Sequence, residues 1–411
     1  MERFIGLIGI LFILGIAFLF SNNKKKINKR LVISGLSLQI IIAILVLKVP
    51  AVTAFFQYIG NGMRHIEEFA KEGANFVYGG LGIVGKEGVQ NYSAPSNFIF
   101  AFNITATIIL VCILVAIFYH IGIMQKIVAV IARAMNFIMK VSGAEALSNV
   151  ASAFVGQVEA QVMIRPYLST MTKSELLASM SGSLACISGG VLIVYVNMGA
   201  QAEHLIAASL MAAPGALVIS KIVFPETEVS ETMGHVKHEV KSNYTNVIDA
   251  ISQGAADGFK IAMNVIAMLI GFIALMALIN FLLSSMWTGL TLDYIFGKLF
   301  SPMAWSMGIP AQDVDNAAKL LGQKLTVNEF LAYKNLTDVS YANPIVTDKG
   351  LLITSVALCG FANFSSVGMQ IGGIGALAPE RRADLAKLGM KALLCGTLTS
   401  YLSGCIAGIL Y

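Results

Sequence analysis

Charge is the scarcest commodity in this sequence. Only 12% of its 411 residues are Asp, Glu, Lys or Arg, against 56% that are hydrophobic. Soluble domains carry about 25% charged residues. So little charge excludes a water-soluble globule, and a mean hydropathy of +0.76 makes a bilayer the main solvent. Cysteine is sparse too. Cys112, Cys186, Cys359, Cys395 and Cys405 lie in apolar or glycine-rich segments with no CxxC or Cys/His ligand spacing. They suit small buried apolar positions. No GxxxxGK[ST] stretch occurs, which argues against an ATP-driven pump. HExxH, GxSxG and any His/carboxylate cluster are missing, so nothing suggests an enzyme, and no cofactor is expected. The net charge of +5 sits mostly in short loops. There is no basic stripe interleaved with aromatics, which argues against nucleic-acid binding. The five histidines are scattered, with His204 at the start of an apolar run.

What the chain has in quantity is apolar runs of spanning length, about 20 residues each. Candidates are 4–20, 31–48, 97–119, 175–197, 203–223, 258–284 and 384–410. An eighth, 345–377, is broken by Gly360, Asn363, Ser365, Ser366 and Gly368. The first run is followed, not preceded, by its basic cluster and lacks a small-residue cleavage site before Lys24. It is expected to be a retained helix, not a signal peptide.

Two stretches are too polar to cross. One is 144–169, with Glu145, Gln157, Glu159 and Gln161; the other is 310–335, with Asp313, Asp315, Lys319, Lys324, Asn328 and Glu329. Each is expected to form two short helical halves around a turn, a re-entrant hairpin tolerated at membrane depth only under protein or water cover. Residues 121–140 and 290–304 are amphipathic and suit interfacial helices. The positive-inside rule places Lys24, Lys25, Lys26, Lys29 and Arg30 in the cytoplasm, together with the basic groups around 126–140, 237–241 and 381–387. The segment 49–95, with Glu67, Glu68, Glu72 and Glu87, is then an outer loop. The hairpins enter from opposite sides, the first from the cytoplasm. The fold class is therefore an all-α polytopic membrane protein with eight transmembrane helices, two re-entrant hairpins and interfacial helices. Three parts are expected: 1–140, 141–285 and 286–411.

A hairpin containing Glu159 is followed by Cys186-Ile-Ser-Gly-Gly190, and one containing Glu329 by Cys359-Gly-Phe-Ala-Asn-Phe-Ser-Ser366. Two halves of inverted topology, each with a hairpin and an interrupted helix, are a signature of secondary transporters. Ionisable groups at membrane depth are costly and tend to be functional. Glu159 and Glu329 can accept hydrogen bonds from a polar neutral solute. The Phe361–Ser366 stretch adds an amide and hydroxyls beside phenyl rings, a mix that suits a hydroxylated ring compound. A nucleoside, a free base or a sugar would each fit that description.

Four ordered motifs carry a resemblance. Phe154-Val-Gly-Gln-Val-Glu-Ala160 with Ile164-Arg-Pro-Tyr-Leu168, Phe224-Pro-Glu-Thr-Glu228, Leu325-Thr-Val-Asn-Glu-Phe330 and Cys359 through Gly373 resemble concentrative nucleoside transporters of the bacterial eight-helix form. The resemblance spans at least 97–410. It implies nucleoside–cation symport across the plasma membrane by an elevator-like transport domain in a homotrimer. It implies that Gln157 and Glu159 bind the base, with Val191 and Phe361 packing on it, and that Glu329, Asn363 and Ser366 bind the ribose. Three positions depart from the commoner pattern. Val158 replaces a hydroxyl residue beside the base. Ser152 replaces an asparagine and Cys186 a serine in the sodium site, which the carbonyls of Val155 and Ile187 complete. The departures leave sodium and a proton both open as the coupling ion, with sodium favoured.

Overall fold

A computed structural model describes residues 2–78, 100–233, 244–338 and 344–411. Helix α1 (Glu2–Leu19) is the first apolar run, and α2 (Lys29–Lys48) the second. Asn28 starts α2 by accepting the amides of Arg30 and Leu31, satisfying donors that a helix leaves unpaired. Helix α3 (Pro50–Tyr78) corrects the expectation of a loop over 49–95. Its charges fall among apolar residues at helical spacing, so it forms an amphipathic helix; residues 79–95 lie outside the described residues.

Helix α4 (Phe100–Ile121) runs into α5 (Ile123–Met139) through a 75° bend at Gly122. Gly122 has φ +83, a conformation that glycine adopts without a Cβ clash. Helix α5 has the amphipathic character expected of 121–140. The first hairpin follows as α6 (Gly143–Ser152), a turn, and the short α7 (Glu159–Val162). A capping box between Ser142 and Glu145 fixes the start of α6. The span expected over 175–197 is broken into α8 (Lys173–Ala185) and α9 (Gly189–Asn197), and α10 (Ala202–Val223) follows.

Helix α11 (Val247–Met286) has 40 residues, about 60 Å at 1.5 Å per residue, twice the hydrocarbon thickness. Then come α12 (Leu292–Ser306), the second hairpin α13 (Val314–Thr326) and α14 (Glu329–Thr337), the broken span α15 (Asp348–Leu358) and α16 (Phe364–Leu377), and α17 (Arg382–Leu410). Both hairpins and both breaks stand where the sequence suggests. Among the described residues, five runs, namely α2, α8–α9, α10, α11 and α17, are long and apolar enough to cross a membrane, and the bent pair α4–α5 gives a sixth. The remaining expected spans, α1 and α15–α16, are a shorter apolar helix and a broken one.

Burial separates centre from periphery. The apolar window of α10 is 94% buried and that of α11 0%. Helices α6, α8, α10, α15 and α17 thus make the core that carries the breaks. Helix α2 is pinned to it by Gln39, fully buried, whose amide donates to the Met211 carbonyl over 3.0 Å. Gly215 makes room, since a Cβ there would sit 2.2 Å from Gln39 Nε2.

One end of the core is tied by Lys221 of α10. Its ammonium lies 2.7 Å from Glu145 and 3.1 Å from Glu226, and donates to Ser174 over 2.9 Å. Glu226 also accepts from Thr172. This gives Phe224-Pro-Glu-Thr-Glu228 a structural job. It closes the base of the first hairpin and of α8 against α10. Burial acts to raise the Glu226 carboxyl, but Lys221 and the Thr172 hydroxyl outweigh it and hold the group below its ordinary value.

Candidate substrate and ion site

The two helix breaks meet. Phe361 N–H, freed by the second break, donates to the Cys186 carbonyl at the first over 3.3 Å. Gly360, at φ +138, allows this approach; a Cβ there would stand 2.6 Å from the Ala185 carbonyl oxygen. The Ser400 hydroxyl of α17 donates to the Cys359 carbonyl over 3.0 Å. The new helix ends are capped in the same way in each half. Ser188 accepts the Val191 amide to start α9, and Asn363 accepts the Ser366 amide to start α16.

Glu329 opens α14 at the tip of the second hairpin and is 3% exposed. Tyr195 of α9 donates to its Oε1 over 3.0 Å, and Asn363 Nδ2 donates to its Oε2 over 2.9 Å. A carboxylate held by two such donors is rigid and keeps lone pairs for further hydroxyl donors. Tyr195 is itself fixed, stacked on Tyr333 at 4.4 Å and edge-on to Phe330 at 4.9 Å. Ser366 stands one turn into α16, bonded through its amide to Asn363. Phe361 and Val191 are half-buried, each just past a break. Asn363 thus links Glu329, Ser366 and Phe361, whose carbonyl accepts the Asn363 amide over 2.8 Å.

The first hairpin reaches the same region from the other half. Gln157 Oε1 accepts from Gln370 Nε2 of α16 over 3.5 Å, and Val158 covers Gly373. Phe154 carbonyl accepts the Gly189 amide at the start of α9. Glu159 is different. Its surface is exposed in the single chain, and the carboxylate folds back over Gly156 to accept the backbone amides of Val158 and of Glu159 itself. No side chain bonds to it among the described residues, so its remaining lone pairs are open to a ligand.

At the candidate ion position, a chain of hydroxyls runs between α6 and α8. Ser152 Oγ donates to the Ser148 carbonyl over 2.8 Å and lies 2.8 Å from Ser183 Oγ. Gln161 bonds Ser148, Ser179 and Ser183. The Cys186 thiol donates to the Ser209 carbonyl at 3.7 Å. The carbonyls of Val155 and Ile187 accept no hydrogen bond among the described residues. Two oxygens therefore remain free for a hard cation, with the Ser152 hydroxyl near them in sequence and a thiol in place of a fourth oxygen donor.

Residues 8–81 match the description "Na+ dependent nucleoside transporter N-terminus", residues 204–408 its C-terminus, and residues 101–202 "Nucleoside recognition". The chain belongs to the Na+-dependent nucleoside transporter family. Within it, the chain is 36% identical to the nucleoside permease NupC of Helicobacter pylori, over 98% of this chain and 96% of that protein. It is 35% identical to sodium/nucleoside cotransporter 1 of Mus musculus, over 100% of this chain and 64% of the mouse protein. The structure of CNTnw in an inward-facing substrate-bound state is 38% identical, with TM-score 0.92, covering 100% of this chain and 98% of that one. A CNTnw variant in an outward-facing state gives 0.91, so the overall likeness does not favour one state. The family consists of integral membrane transporters, in agreement with the apolar helices found here.

Sequence reasoning did not find Tyr195, Gln370 or the serine–glutamine chain. Tyr195 sits in an apolar helix and looks like core. The serines recur every fourth residue or so, at 148 and 152 and at 179 and 183, and that helical spacing was the available signal.

Proposed function

We propose that this protein takes up nucleosides by cation-coupled symport. The observation that carries the reading is Glu329, a buried carboxylate fixed from both halves of the chain by Tyr195 and Asn363. Such a group at a hairpin tip beside the helix breaks suits the vicinal hydroxyls of a ribose. Asn363 and Ser366 supply further polar atoms, and Phe361 and Val191 supply apolar cover for a flat base. Gln157 and Glu159 serve the base edge, with Val158 giving one polar contact less.

Sodium is the proposed coupling ion, held weakly by the carbonyls of Val155 and Ile187 with Ser152; Cys186 adds little. The hairpins, α8–α10 and α14–α17, together with α2 pinned to α10 by Gln39 and α12 packed on α13, move as an elevator-type transport body against a scaffold that includes α4 and α11. The apolar, unburied face of α11, with Ile270, Phe281 and Leu282, needs cover from lipid or from neighbouring copies in a homotrimer.

The deciding experiment is uptake into proteoliposomes of radiolabelled uridine, adenosine, uracil and glucose. Saturable uptake of the nucleosides alone supports the reading. Preference for uracil or glucose would replace it with a carrier of another neutral solute.

A further inference from the structure

Gln370 lies on the buried face of α16, one turn beyond Ser366, and is fully buried. Its Nε2 donates to the main-chain carbonyl of Met180 in α8 over 3.2 Å, and also to Gln157 Oε1 over 3.5 Å. Gln370 Oε1 has no donor among the described residues. A buried amide with an idle oxygen is costlier than a hydrocarbon of the same shape. Packing alone therefore gives no reason for a glutamine here, and its nitrogen does.

An amide can be turned end for end, and only its partners decide which end is oxygen. A main-chain carbonyl can only accept, so Met180 requires the Gln370 nitrogen to face it. The two protons on that nitrogen are then spent, one on Met180 and one on Gln157. Gln157 must meet its proton with oxygen, because its own N–H groups there would oppose those of Gln370. Its nitrogen is turned the other way. There its protein partner among the described residues is the Met369 thioether, a weak acceptor at 3.9 Å. Orientation thus passes from the backbone of α8, through Gln370, to the tip of the first hairpin.

We propose that Gln370 is a positioning residue that makes Gln157 a hydrogen-bond donor toward the base, and so sets a preference for nucleosides whose base edge carries a carbonyl. Uracil and hypoxanthine present a carbonyl oxygen where cytosine and adenine present an amino group. The Gln157 nitrogen bonds the first kind and opposes the second. This inference rests on the assignment of Gln157 to the base, and the experiment tells the failure of one from the failure of the other.

The experiment is competition against labelled uridine in proteoliposomes, with uridine, cytidine, inosine and adenosine as competitors. The wild type is expected to bind uridine about tenfold more tightly than cytidine, and inosine about tenfold more tightly than adenosine, because the amino group loses one bond and opposes its donor. Gln370→Leu removes both N–H groups and frees the Gln157 amide to turn, so the ratio within each pair is expected to fall to near one. Gln370→Glu keeps the shape, but a carboxyl has at most one proton for two acceptors, and the ratios are again expected to fall. Detergent size-exclusion and thermal unfolding check that each variant is folded. A merely structural glutamine would lower all four affinities together and leave both ratios alone, and that result in either folded variant overturns the inference. So does a wild-type protein that binds the amino-bearing member of each pair as tightly as the carbonyl-bearing one. Gln157→Leu is the control for the underlying assignment. If it leaves all four affinities at wild-type values, Gln157 does not touch the base, and the reading fails there rather than at Gln370.

Discussion

Tyr195 and Glu329 lie 134 positions apart and are joined by a 3.0 Å hydrogen bond from phenol to carboxylate. One comes from the helix after the first break, the other from the tip of the second hairpin. The bond therefore couples the two inverted halves at the point where substrate is proposed to bind. Tyr195→Phe keeps the ring stack on Tyr333 and removes only the donor. Uridine is expected to bind about tenfold more weakly or worse, since one hydrogen bond to a charged group is worth about 1.5–3 kcal/mol. Dideoxyuridine is expected to change less. Equal losses for both, measured as competition against labelled uridine, would mean that Tyr195 supports packing and not the ribose.

Glu329→Gln tests the carboxylate itself. The amide is isosteric but neutral, and the bonds it makes with hydroxyls are weaker by about 1–2 kcal/mol. Uptake of uridine is expected to fall at least tenfold with unchanged thermal stability. Dideoxynucleosides are expected to be poor competitors of the wild type. Inhibition by dideoxyuridine as strong as by uridine would remove Glu329 from the ribose.

Phe361→Ala removes apolar cover and leaves every hydrogen-bonding side chain in place. Base–aromatic stacking is worth about 1–3 kcal/mol, so all nucleosides should bind about tenfold or more weakly, regardless of base. Isothermal titration in detergent reads this directly, and an unchanged affinity would take Phe361 out of the site.

Much of this architecture is legible in the sequence because polar residues are conspicuous in so apolar a chain. Glu159, Glu329 and Asn363 mark both hairpins and the second break. Helix α3 was not legible as a helix, since the run of glutamates in 49–95 interrupts the apolar pattern and resembles an outer loop. Tyr195 was hidden for the opposite reason. Among Leu192, Ile193, Val194 and Val196 it looks like one more core residue, and only tertiary structure brings Glu329 to its hydroxyl. Glu145 was grouped with the polar hairpin residues, but the structure gives it to Lys221, where it holds helices together.

The Lys221 cluster predicts an acid-sensitive stability. Glu226 has a carboxyl held below its ordinary value, so its contribution is present above the unfolded-state pKa and lost as pH falls through the folded one. The group is 21% exposed, which limits the effect to about 1 kcal/mol. Glu226→Gln should lower thermal stability in detergent at neutral pH, and the wild-type and variant curves should converge below about pH 4. Parallel curves from neutral to acid pH would show that Glu226 does not stabilise the fold through its charge.

The coupling ion can be tested by restoring its ligands. Ser152 is 2.8 Å from both the Ser148 carbonyl and Ser183 Oγ, so its hydroxyl is already engaged within the α6–α8 contact. The Cys186 thiol is turned to the Ser209 carbonyl. A sodium ion favours oxygen over sulfur and would find two free carbonyls, those of Val155 and Ile187, with water filling the remainder. Sodium should therefore stimulate uridine uptake only at high concentration. Ser152→Asn supplies a carbonyl oxygen on a longer arm, and Cys186→Ser a hydroxyl. The double variant is expected to lower the half-saturating sodium concentration by about tenfold, equivalent to about 1.4 kcal/mol, with little change in uridine affinity at saturating sodium. The measurement is uptake in proteoliposomes under a sodium gradient at fixed pH, repeated under a pH gradient in choline. Stimulation by sodium that strengthens in the double variant fits a weakened sodium site. Uptake indifferent to sodium in both proteins, yet driven by an inward proton gradient, would sink that reading and assign coupling to a proton, with Glu159 and Glu329 as its candidate carriers.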